Sequence, residues 1–318
     1  MYLGLRILTR TLVLAALTIA PARAHVEEIV TPEKLWGEWS LEPFMLILLA
    51  STSWLYIRGV RRLWAKAGRG RGVPFARVLC FAGGQAALII ALISPLDSLG
   101  GTLLSAHMAQ HGLLAGVAPP LLVLGRPDAA FAWALTPFWT TGSLATVWRS
   151  VSRLERALST PMRATVLYGI AMWLWHAPAL FGAAVAHDWV HALQHLSFFV
   201  SALLFWRGLL HARSVGRSAG AAAAAFITFM HTGLLGGLIT IAPEPLYSAY
   251  VGRTESWGLS ALADQQLAGL LMWVPLGAPY VAAGLLLGAR VFRGDHDEGV
   301  APVSSVPTGG SMGRETAL

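Results

Sequence analysis

The chain has 318 residues, of which 55% are hydrophobic and only 12% charged, with a mean hydropathy of +0.59 and a net charge of +7. Soluble domains carry about 25% charged residues, so this composition excludes an ordinary soluble core. The positive charge belongs with the cytoplasmic loops of a membrane protein, and no nucleic-acid partner is expected.

Arg6 and Arg10 precede a short apolar run from Thr11 to Ala20, followed by Pro21-Ala22-Arg23-Ala24. Basic, apolar and A-x-A regions in that order predict a secretory signal peptide over residues 1–24, cleaved after Ala24. The alternative is an uncleaved anchor, for which the apolar run is short. Cleavage would make His25 the first residue of an outer segment, 25–42. An N-terminal His can chelate copper with its amine and ring, which by itself is a weak signal.

Seven apolar segments follow: Pro43 to Ile57, Phe75 to Ile93, Thr102 to Leu124, Ala164 to Ala183, Asp188 to Leu210, Ala219 to Ile241 and Leu262 to Leu287. Most reach the roughly 18–20 residues that cross a bilayer, and the short first one extends towards Trp64. The fold class is therefore all-α: a polytopic membrane protein with a seven-transmembrane-helix bundle over residues 43–290. Alternate connections and the tail hold 18 of the basic residues, among them Arg58, Arg61, Arg62, Arg149, Arg153, Arg207 and Arg290. The opposite side of the mature chain holds only Lys34 and Arg253. By the positive-inside rule the N-terminus is outside and the C-terminus cytoplasmic, in a bacterial-type plasma membrane.

The connection at 126–163 is read as an inner surface loop. Val147, Val151, Leu154 and Leu158 recur at helical spacing opposite Arg149, Arg153, Glu155 and Arg156, which is the pattern of a helix lying on the membrane. Phe131 to Trp148 lacks charge, yet counting it as a span would put Arg207, Arg213 and Arg217 outside. The tail at 291–318 is Gly-, Ser- and Pro-rich and is expected to be disordered. Trp36, Trp39, Trp64, Trp148 and Trp206 fall near span ends, as interfacial tryptophans do. The lone Cys80 permits no internal disulfide and reads as a small packing residue.

Six histidines lie within the spans: His107, His111, His176, His191, His195 and His231. At 1.5 Å rise per residue, all six fall roughly 5–15 Å below the outer face, although their helices run in both directions. Ionisable groups at such depths are costly and mark function. His107 and His111 share one helix face. His187, His191 and His195 form a second ladder with Gln194, and Gln110 flanks the first. Asp264, Gln265 and Gln266 open the last span, and Met108 and Met230 adjoin histidines. Imidazole with carboxylate or thioether suits copper, zinc or iron. The metal-ligand candidates are thus His107, His111, His176, His191, His195 and His231, with Asp264 as acidic neighbour. Alternatives are bis-His haem ligation, a proton or metal pathway, and a polar network that only holds helices together. His187-Asp188-Trp189-Val190-His191 approaches H-E-x-x-H, but Asp stands where a hydrolase needs its Glu base, so no catalytic residue is assigned. Pro119, Pro120 and Pro178 are expected to kink spans, and Gly233, Gly236 and Gly237 to admit a close helix neighbour. The segment from Ala242 to Tyr247 begins an outer loop able to cover the site.

Five ordered strings carry a family resemblance: HMAQHGLLAGVAPPLLVLGRP from His107, WLWHAPALF from Trp173, HALQHLSFF from His191, HTGLLGGLITIAPEPLY from His231 and DQQLAGLLMWVP from Asp264. The region from Phe75 to Arg290 resembles the CtaG family of cytochrome c oxidase assembly membrane proteins. The resemblance implies a seven-span, non-enzymatic assembly factor for a haem-copper oxidase, with copper as the implied metal. Oxidase subunits or copper chaperones are the implied partners. The rival functions are a b-type haem-binding electron carrier and a metal or proton transporter.

Overall fold

The computed structural model describes residues 29–135, 143–212 and 214–298. These are helical, with no strand among the described residues. The expected signal peptide, His25, residues 136–142 of the uncharged loop and the tail beyond Glu298 lie outside them.

The helices in chain order are α1 (Pro43–Ala67), α2 (Phe75–Leu92), α3 (Pro95–Leu99), α4 (Leu104–Gly112), α5 (Ala118–Leu124), α6 (Pro127–Ala134), α7 (Ser143–Leu158), α8 (Pro161–His176), α9 (Pro178–Ala186), α10 (Asp188–Leu210), α11 (Val215–Ile241), α12 (Ala261–Trp273) and α13 (Ala278–Glu298). Five helical stretches are long and apolar enough to cross a membrane, and seven if each of two bent pairs counts as one span. The polytopic all-α reading therefore holds. The helix α13 runs to Glu298, so the first eight residues of the expected disordered tail are helical.

Prolines account for the breaks. Pro119 has no N–H to bond the carbonyl of Ala115, four residues back. A π-helical turn, Leu113–Val117, precedes it, and the indole N–H of Trp206 on α10 donates to the Ala115 oxygen at 3.0 Å. Trp206 is buried, and it satisfies a carbonyl that proline left open. Pro178 stops α8 at His176, and α9 turns off by 75°. The expected fourth span is thus two helices, with a histidine at the corner.

Glycines set the close approaches. A side chain at Gly59 of α1 would collide with the backbone oxygen of Ala130, so α6 folds back against α1. That contact, and a bend of 58° after α5, explain why the start of the uncharged loop is a short helix packed on the bundle. Gly236 of α11 faces Gly269 of α12, where an added Cβ would stand 2.9 Å from the Gly269 oxygen. Gly233 faces Trp273 instead, and Gly237 has no such neighbour.

The two ends of the bundle are built differently. One carries arginine contacts: Arg62 donates to Ala134 O at 2.9 Å, and Arg207 pairs with Glu155 of α7. The other is closed by loops. There Val30 N donates to Thr102 Oγ1, Trp257 Nε1 to Val30 O, and Arg253 to Gly101 O. The clustered histidines lie towards this second end.

Candidate metal centre

The helix α4 begins inside the bundle with backbone N–H groups that no helical carbonyl can satisfy. Asp264, the fourth residue of α12, supplies the missing acceptor. Its carboxylate takes Leu104 N at 2.6 Å, Ser105 N at 3.2 Å and the Ser105 hydroxyl. A buried carboxylate from one helix thereby caps another and fixes its rotation and depth. His107 and His111, one and two turns further on, then project from a single buried face.

His191 and His195 face them from the first two turns of α10, and His176 enters from the corner after α8. Ring centroids are 4.3 Å apart for His107 and His111, 4.0 Å for His191 and His195, and 5.2 Å for His107 and His191. His195 lies 5.4 Å from His111, and His176 lies 6.0 Å from His111. Five of the six candidate histidines thus form one contiguous group. Within it the ligating atoms of His107, His111 and His195 all lie within 4.8 Å of one another. Phe181 and Phe198 wall the group, their rings 4.9 Å from His107 and 4.8 Å from His111.

Hydrogen bonds select the tautomer of His107. The Tyr250 hydroxyl gives its only proton to Gly100 O at 2.8 Å. Burial, with the Asp264 charge adding to it, pushes that hydroxyl well above the usual phenol range, so it stays protonated. His107 Nδ1 lies 3.0 Å from the Tyr250 oxygen and 3.3 Å from Gly100 O. Both are acceptors here, so Nδ1 carries the proton and Nε2 keeps the lone pair. A backbone carbonyl that fixes the ring tautomer is the usual support of a metal-binding His. His111 has no hydrogen-bond partner at either ring nitrogen among the described residues, although it is 4% exposed. A buried polar group without a partner costs about 1–3 kcal/mol, which an ion would relieve.

The loop after α11 covers the group, as the sequence led us to expect. Tyr247 donates to His176 O at 2.9 Å, and both Tyr247 and Tyr250 are buried. Two small cavities flank the imidazoles. One of about 10 Å³ lies between Asp97, Asp188, His107 and His191. The other, of about 20 Å³, is lined by Met108, His111, Met172, His176, Met272 and Tyr280, among others.

Two predicted site residues stand elsewhere. His231 makes no ring contact with the other five; its Nε2 faces Gly169 of α8, deeper in the bundle. Asp264 is spent on the α4 backbone rather than turned to the imidazoles. Met230 is exposed and leaves the site, while Met108 is buried within it. His187, the first histidine of the H-D-x-x-H string, is exposed, which separates it from His191. Asp97, Tyr250, Met172 and Met272 were not singled out from the sequence. Asp97 lies at the end of an apolar segment, where one charge is unremarkable. The two methionines are single apolar residues on different helices, and nothing in either helix sets them apart.

A family model described as cytochrome c oxidase caa3 assembly factor matches residues 54–294. Uncharacterized proteins of Mycobacterium bovis and Mycobacterium tuberculosis are 27% identical over 246 residues, covering 71% of this chain and 36% of theirs. One from Mycobacterium leprae is 24% identical over 241 residues, with the same coverage. The chain therefore spans about a third of the length of these curated relatives. No solved structure matches.

Proposed function

The chain belongs to the family of cytochrome c oxidase caa3 assembly factors, and from that premise we propose that it carries copper as cargo for the oxidase. It takes the ion between helices near the outer face of the plasma membrane and passes it on to oxidase subunits or a copper chaperone. It is an assembly factor and not an enzyme. The observation that carries this reading is the triad His107, His111 and His195, three buried imidazoles from two helices with ligating atoms within 4.8 Å. The donors fit the ion: neutral imidazole suits copper, and among divalent first-row metals Cu²⁺ binds such sites most tightly. His191 and His176 adjoin the triad and can take the ion in passing.

A bis-His haem would have to separate two imidazoles by a macrocycle, whereas the rings of neighbouring histidines here stand in direct contact, their centroids 4.0 to 5.4 Å apart.

Metal analysis of the purified protein after copper exposure tests the proposal. Wild type is expected to retain about one equivalent or more at the triad, and His107→Ala with His195→Ala to lose it. Equal retention by both proteins overturns the reading, and a Soret band in the purified protein replaces it with the haem carrier. Copper uptake by proteoliposomes, abolished by His107→Ala, would replace it with the transporter.

A further inference from the structure

The larger cavity has a different chemistry from the triad above it. Met108, Met172 and Met272, from α4, α8 and α12, are all buried in its wall. His176 stands among them with a defined tautomer. Its Nδ1 lies 2.7 Å from the carbonyl oxygen of Met172, which can only accept. The proton is therefore on Nδ1, and the neutral ring turns the lone pair of Nε2 inward. That lone pair faces the Met108 sulfur at 3.4 Å. A thioether has no proton to donate, so two electron-pair donors oppose each other with no hydrogen between them.

A cation that accepts from both would turn this opposition into binding. With bonds of about 2.0 Å to imidazole nitrogen and about 2.3 Å to sulfur, a separation of 3.4 Å closes a nearly tetrahedral N–metal–S angle. A third donor is at hand in His111, which lines the same cavity and has no hydrogen-bond partner for either ring nitrogen among the described residues. No carboxylate lines the cavity, so every donor is neutral. Neutral donors in an apolar medium hold one positive charge at less cost than two. Thioethers select soft ions, Cu(I) above all.

We propose that His176 and Met108, with His111, Met172 and Met272, form a second metal site that takes a monovalent copper ion. His111 joins it to the triad, so a Cu(I) ion passes between the two by exchanging partners on one shared imidazole, with no change of oxidation state. The soft site keeps its ion reduced and out of water. It does not require the triad to be occupied, because four of its five donors are its own.

The test is an anaerobic Cu(I) titration of the full-length protein in detergent against a chromophoric Cu(I) chelator, paired with copper X-ray absorption. The parent is expected to show sulfur at about 2.3 Å from copper. Met108→Leu with Met272→Leu preserves volume and leaves Met172 as the one remaining sulfur, and it is expected to weaken the sulfur signal and lose at least about tenfold in Cu(I) affinity. His107→Ala with His195→Ala is expected to keep the sulfur signal, which separates this site from the triad. A parent that binds no Cu(I), a parent spectrum without sulfur, or an unchanged affinity in the double Leu variant each overturns the proposal. Should that variant misfold, the parent grown on selenomethionine decides alone. A copper–selenium shell is expected, and its absence removes the site.

Discussion

Replacing Asp264 by Ala tests whether the histidine group is held in place from a distance. The carboxylate accepts from two backbone N–H groups and one hydroxyl at the start of α4, all of them buried. Ala leaves Leu104 N and Ser105 N without an acceptor in a region that water does not reach. Each unsatisfied buried donor costs about 1–3 kcal/mol, so the two together cost roughly 2–6 kcal/mol. Asp264→Asn keeps one acceptor oxygen but sets an NH₂ group against a donor, and should cost roughly half as much. Ser105→Ala removes only the hydroxyl bond, at about 1 kcal/mol. Unfolding midpoints in detergent, measured by circular dichroism, should therefore fall in the order Ser105→Ala, Asp264→Asn, Asp264→Ala. Copper retention should fall in the same order, because α4 carries His107 and His111. Two results would refute the reasoning: an unfolding midpoint unchanged in Asp264→Ala, or a loss of copper in that variant with no loss of stability. The second would make Asp264 a ligand and not a cap.

Trp206→Phe should destabilise by about 1–3 kcal/mol, since it leaves the Ala115 carbonyl open beside Pro119; an unchanged unfolding midpoint would mean that the π-helical turn supplies its own partner. His231→Ala should leave copper retention at the wild-type level, because its ring stands against Gly169 and away from the group; a loss comparable to that of His107→Ala would restore it to the site. Gly59→Val should lower the unfolding midpoint by forcing α6 off α1, by about 1–3 kcal/mol or more, while a variant as stable as the parent would contradict the contact with Ala130.

What could be read from the sequence followed from periodicity and cost. Apolar length gave the spans, because hydrocarbon tolerates only a satisfied helix backbone. The expense of imidazole in hydrocarbon made His107, His111, His176, His191 and His195 stand out before their contacts were known. Depth alone could not exclude His231. Depth is a one-dimensional coordinate, and the ring of His231 is turned to Gly169, about two turns of α8 before His176. Rotation about the helix axis decides such cases, and it depends on packing across helices such as Gly236 on Gly269. Asp264, expected as the acidic neighbour of the layer, has its carboxylate taken by the start of α4, which begins two residues later than its expected span, at Leu104.

The sharpest gap concerns sulfur. Methionine carries no burial cost in a membrane helix, so no anomaly marks Met172 or Met272 as it marks a histidine. Their meaning depends on what they face. Met172 lies on α8 one turn before His176, and its own carbonyl holds that ring's proton. One residue thus serves the cavity twice, by lining it and by orienting the imidazole lone pair into it. Together with the 3.4 Å approach of Met108, this gives the cavity a directed nitrogen–sulfur donor pair in a wall that holds two more methionines. The proposed cargo gives a reason to look for copper; the orientation of His176 gives the reason to look for it among the methionines.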